Sequence, residues 1–143
     1  MLRKLALLAV ISLAFSPLIH AQEAPTAPIP TVEITDAQLA AQVGENLLPI
    51  VPTELFKPVD TIFLSVSTNA TAEVVPGSLG VAWRYEFGDE QMAVHSEGKE
   101  VDFSGPGVTV FQVSKPDGWP EGNYSVEIFL NGKSARKLQF KVL

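Results

Sequence analysis

With 143 residues the chain holds one domain rather than two. It has no cysteine, which excludes a disulfide framework, a lipid-modified cysteine and any thiolate nucleophile or metal ligand. A formal charge of −6 argues against nucleic acid or anionic lipid as a partner, since both select clustered Lys and Arg; it is also an ordinary aid to solubility.

The chain begins MLRKLALLAVISLAFSPLIHAQ. Arg3 and Lys4 precede an apolar run, Leu5 to Phe15, interrupted by Ser12 alone. Pro17 ends the run and Ala21 offers a small residue for cleavage. This is the layout of a secretory signal peptide. The run is too short to anchor the chain permanently, because a spanning helix needs roughly 20 apolar residues. Residues 1–21 are expected to be removed, leaving a periplasmic or secreted chain from Gln22 that is two charges more negative.

Residues 22–58 form a proline-rich arm, with Pro25, Pro28, Pro30, Pro49, Pro52 and Pro58. Its first part is expected to be extended. Within it, Thr35 and Gln38 fit a capping box, Gly44 fits a helix stop, and Leu39 and Val43 would share a face. The spacing predicts one short helix there.

Residues 59–143 change to period two. TIFLSVST sets Ile62, Leu64 and Val66 against Thr61, Phe63, Ser65 and Ser67. SLGVAWRYEF points Leu79, Val81, Trp83, Tyr85 and Phe87 inward. YSVEIFLNG does the same with Tyr124, Val126, Ile128 and Leu130, and ARKLQFKVL with Leu138, Phe140 and Val142. Such alternation marks half-buried antiparallel strands. Weaker strands are expected at Met92–Glu97 and Val108–Val113, with FGDEQ as a hairpin turn. Asn131-Gly132 tolerates positive φ at both central positions and predicts a type I′ hairpin. The fold class is all-β, a sandwich of about seven short strands, with a small barrel as the alternative.

The stretch DGWPEGNYSVEIFLNGK carries the densest pattern. Pro120 fixes φ, Gly122 allows a tight bend, and Tyr124 opens the next strand facing inward. That is the arrangement of a tyrosine corner, in which a buried phenol bonds a backbone group that also needs a partner. Trp83, mid-strand and inward, sits where immunoglobulin-type sandwiches place a core Trp. KPDGWPEGNYSVEIFLNGKSARKLQFKVL, with FKPVDTIFLSVST and GVAWRYEF, resembles the small exported bacterial domains of immunoglobulin-like or fibronectin-III-like type. The resemblance covers roughly Phe56 to Leu143. It implies an immunoglobulin-like antiparallel β-sandwich and an accessory role, and it names no process. The chain departs from antibody-type domains in lacking the cysteine pair.

Catalytic chemistry is sparse. His95 is the one histidine after residue 21, on a weakly patterned strand, so neither a nucleophilic triad nor a zinc site has the residues it needs. Asp89 with Glu90, and Asp117 with Glu121, are the carboxylate pairs that acid–base chemistry could use. Neither lies in a catalytic framework, and neither a calcium loop nor a phosphate-binding glycine loop is present. No metal, cofactor or enzymatic activity is expected. Phe63 and Phe129 break the outward polar pattern, as must Phe111 or Val110. They would form a protein-binding patch, or be covered by the proline-rich arm. The expected function is an exported interaction or scaffolding module whose partner is another cell-envelope protein. The alternative is a carbohydrate-binding module, with Trp119 stacking on a sugar beside Asp117, Glu121 and Asn123.

Overall fold

The computed structural model describes residues 26–143. The expected signal peptide, residues 1–21, lies outside the described residues. Eight strands follow in chain order: β1 Val32–Ala40, β2 Leu55–Phe56, β3 Ile62–Ala70, β4 Val75–Phe87, β5 Glu90–Phe103, β6 Pro106–Val113, β7 Gly122–Leu130 and β8 Lys133–Val142. They form two sheets, β1-β3-β6 and β2-β8-β7-β4-β5. Every pairing between strands is antiparallel except the two-residue contact of β2 with β8. The all-β sandwich expected from the alternation is therefore present.

The short helix is not. Thr35 and Gln38 lie in β1, which pairs with β3 from Val32↔Ala70 to Ala40↔Phe63. A β-bulge at Thr35 explains the misreading. It inserts one residue into the alternation and so restores the inward face one position later. Val32 and Ile34 before the bulge, and Ala37 and Leu39 after it, all join one core. Their spacing is no longer strictly two, and it imitates a helical face. Gly44, proposed as the helix stop, instead caps a tight loop in which its N–H donates to the Leu48 carbonyl at 2.9 Å. The arm is thus part of the sandwich from Val32 onward, and the domain boundary at residue 59 moves back with it.

The core lies between the sheets. Leu64 and Val66 from β3 and Phe111 from β6 face Leu79, Val81, Trp83, Val126 and Ile128 from the larger sheet. Of the residues expected inward, Phe87 is exposed instead; it ends β4 and stacks its ring against Tyr85 at 5.8 Å. Phe111 is buried, so Val110 is the residue left on the outer side. Gly88-Asp89 make the β4–β5 turn.

Asn131 and Gly132 have φ of 51° and 79°, the pair of positive values that the β7–β8 turn requires. The turn is also tied to β4. The Asn131 N–H donates to the Ser78 carbonyl and the Ser78 N–H donates to Asn131 Oδ1, both at 2.9 Å. Asn131→Ala removes the side-chain acceptor and places a less tolerant residue in the left-handed region. It should cost about 1–2 kcal/mol, read as a lower urea midpoint with an unchanged slope.

Candidate functional site

The corner around Trp119 assembles from the β6–β7 connection. Gly118, at φ 86°, turns the chain so that the Trp119 N–H reaches the Pro58 carbonyl at 2.8 Å. The indole N–H then donates to the Asp60 carbonyl at 3.0 Å. The ring is 2% exposed, held edge-on to Tyr124 at 5.4 Å with the Lys115 ammonium 5.9 Å away. Tyr124 donates its hydroxyl to the Pro120 carbonyl at 2.6 Å. Gly122, at φ 144°, is required by space as well: a Cβ there would lie 2.7 Å from the Tyr85 ring. The three residues Pro120, Gly122 and Tyr124 therefore close the end of the sandwich.

This geometry corrects the carbohydrate reading. A sugar-stacking Trp needs an open ring face, and Trp119 has none. Asp117, Glu121 and Asn123 are exposed around it, but the Trp between the two carboxylates is interior. Asp117 lines a shallow groove with His95 and Lys115, and Glu121 takes no part in it. Asp89 and Glu90 are exposed at a hairpin turn. Among the described residues no three His, Asp or Glu side chains come together as metal ligands would.

Phe63 and Phe129 do not share a patch. Phe63 faces outward from the three-stranded sheet, and Phe129 faces outward from the five-stranded one. They are on opposite sides of the sandwich. The outer side of β3 is crossed by the β1–β2 connection. Ser65, two residues after Phe63 on that face, is 2% exposed and donates to the Leu47 carbonyl at 2.8 Å. Phe63 itself is half-buried.

The other outer face has two zones. Towards one end it carries paired charges. Arg84 bonds Glu127 at 3.1 Å, and Lys137 bonds Glu86 at 3.1 Å. Ser125 Oγ is buried there without a well-aligned hydrogen bond. Its hydroxyl lies against Glu86 and, with Lys137 and Gln91, holds that carboxyl below its ordinary range against the opposing effect of burial. Towards the other end a cross-strand row runs Ser134, Phe129, Gly80, Gly98. Without side chains at the two glycines, Phe129 walls a shallow groove of about 470 Å³, lined also by Ala82 and Ser96. These glycines can be recognised only after the strand register is known.

A further feature escaped the sequence reading. Leu47, Leu48, Ile50 and Val51, within the proline-rich arm, are all exposed at the β1–β2 connection. The run LLPIV was the available signal.

No protein-family model and no curated protein sequence matches the chain. In three dimensions it is similar to an immunoglobulin-like protein from Pseudomonas aeruginosa, with TM-score 0.50 and 12% identity over 79% of this chain and 97% of that one. It is also similar to a β-glucosidase from Erythrobacter marinus, with TM-score 0.55 and 10% identity over 91% of this chain and 18% of that one. A β-glucosidase from Listeria innocua gives TM-score 0.50 and 5% identity, over 80% of this chain and 16% of that one. The chain spans less than a fifth of the length of either glucosidase. At such identities the likeness establishes the fold, an immunoglobulin-like β-sandwich, and transfers no activity.

Burial favours the neutral phenol of Tyr124 and raises its pKa above the usual value of 10.0. A raised folded-state pKa means that its stabilising contribution is complete below pH 10 and is lost as pH rises through the folded value. Tyr124→Phe should cost about 1 kcal/mol at neutral pH, because Pro120 loses its donor. Above pH 10 the gap between wild type and variant should narrow, measured by urea unfolding on both sides of that pH.

Proposed function

We propose that the chain is an exported, non-enzymatic protein-binding module of the bacterial cell envelope, and that it engages its partner through the groove beside Phe129. The signal-peptide layout of residues 1–21 supports export. The immunoglobulin-like sandwich is compatible with a binding role, as it is with others.

The observation that carries this reading is the pair Gly80 and Gly98. Glycine inside a strand weakens it by roughly 0.5–1 kcal/mol relative to alanine, so a strand glycine usually has a backbone or packing cause. Gly77 and Gly122 have one, since an added Cβ would lie within 3 Å of a neighbour at each. Gly80 and Gly98 have neither cause. Their φ values are ordinary, and an added Cβ would meet its nearest atom at 3.7 Å and 3.8 Å, normal contact distances. What the missing side chains do create is an open floor beside Phe129. A half-buried aromatic next to such a floor suits an inserted apolar side chain of a partner. Nothing comparable favours a glycan, since the Trp proposed for one is interior.

The test is a capture experiment with the immobilised chain and a cell-envelope extract. One partner should be enriched in proportion to bait. Gly98→Thr should keep or raise the melting temperature and yet lose the partner, because it fills the floor without strain. Phe129→Ser should weaken capture, and Phe63→Ser should leave it intact. Undiminished capture by both groove variants would sink the assignment.

A further inference from the structure

We infer that Lys99 is an autoinhibitory guard: its ammonium closes the outer edge of β6, an edge otherwise built to accept a further strand. β6 ends the three-stranded sheet and pairs with β3 alone. The register fixes which of its backbone groups are left over. The Ala70 N–H donates to the Gly105 carbonyl at 2.9 Å, so Ala70 and every second residue before it in β3 (Thr68, Val66, Leu64, Ile62) address β6. Their partners Gly107, Thr109, Phe111 and Val113 turn their N–H and C=O groups to β3. Val108, Val110 and Gln112 turn theirs to the open side. Pro106, which has no N–H to offer, belongs to the same outward set.

This edge is adhesive by composition. The run VTVFQV, Val108 to Val113, holds no charge, no proline and no glycine, and all but Gln112 are β-branched or aromatic. A neutral run of this kind pairs readily with other chains when its edge is left open. The other long edges are blunted by their own residues or by a neighbour. β5 mixes acids with Lys99 and carries a bulge. β1 gives its Ile34 and Thr35 carbonyls to Arg136 and its Leu39 carbonyl to the Thr53 N–H. β6 has no charged residue of its own.

Lys99 supplies the missing charge from β5. It lies opposite Leu79, which is fully buried, so its stem leaves β5 on the core side of the sheet. The ammonium then donates to the Val110 carbonyl at 2.6 Å and stands 4.9 Å from the centre of the Phe111 ring. Val110 is the middle one of the three outward residues, so an incoming strand must displace this bond before it can pair along the edge. A lysine that points inward at a sheet edge also sets a charge where the side chains of the next strand would have to pack.

Amide hydrogen exchange and sedimentation velocity of the purified chain test this. In the wild type the Val108, Val110 and Gln112 amides should exchange rapidly. Lys99→Met keeps the stem and removes the ammonium. It should leave the circular dichroism spectrum unchanged, form larger species as concentration rises, and slow exchange at those three amides several-fold in the larger species. Adding Val110→Pro removes an outward N–H that β3 does not use, and should return the chain to wild-type sedimentation. Lys133→Met deletes the same charge beside the β7–β8 turn and should sediment as wild type. Slow exchange of the three amides in the wild type overturns the inference, as does a Lys99→Met chain that sediments as wild type. So does association that leaves the three amides in rapid exchange, which would place the contact elsewhere. Equal association by Lys133→Met would overturn it too and assign the effect to net charge.

Discussion

Everything at one end of this sandwich rests on the ring of Phe140. Tyr124 stacks on it at 5.2 Å, and Phe56, Trp83 and Trp119 meet it edge-on between 5.6 and 6.4 Å. These partners come from β7, β2, β4 and the corner before β7. A domain without disulfides must make its cross-links from packing, and large aromatic rings supply the most area per residue. Offset and edge-on contacts add roughly 0.5–1.5 kcal/mol per pair beyond that area. The cluster also explains why a two-residue strand survives. β2 makes almost no ladder, yet Phe56 is anchored in the aromatic group, and Leu143 N to Phe56 O at 3.0 Å extends the contact.

Much of this was legible in the chain. Four of the six strands after Asp60, β3, β4, β7 and β8, show plain alternation while β5 and β6 show it weakly, and the Asn-Gly turn and the Tyr124 corner each follow from one constrained backbone conformation. β1 was hidden by its bulge, which breaks the period that identifies strands. β2 was hidden by its length and by its parallel pairing, which leaves no local turn signal. Residues that could be site or core, such as Trp119, depended on a carbonyl 59 positions away, at Asp60. The groove is harder still. Gly80 and Gly98 look like ordinary weak points in two strands until the register puts them side by side with Phe129.

The larger sheet manages its exposed surfaces by different means. Its edge strand β5 presents Glu97, Lys99, Glu100 and Asp102 and carries a bulge at Val94, the usual devices against edge-to-edge pairing. On the outer face, the Arg84–Glu127 and Glu86–Lys137 pairs are partly exposed and contribute little stability. Their effect is to keep that zone wetted and self-satisfied. The glycine floor next to them is the contrast: bare at Gly80 and Gly98 and flanked by the Phe129 ring, with Glu97, Lys99 and Glu100 of β5 also lining it.

The Arg136 guanidinium donates to the carbonyls of Ile34 and Thr35 at 3.3 and 3.2 Å, so the first long strand is fastened to the last. Those partners lie 102 and 101 positions before it in the chain. β1 can pair with β3 early, but this polar latch to the larger sheet cannot close until β8 exists. A chain that threads a narrow pore N-terminus first would therefore cross it as separate, unlatched segments. The final strand would then act as a clasp, and commitment to the native state would wait for the tail to arrive.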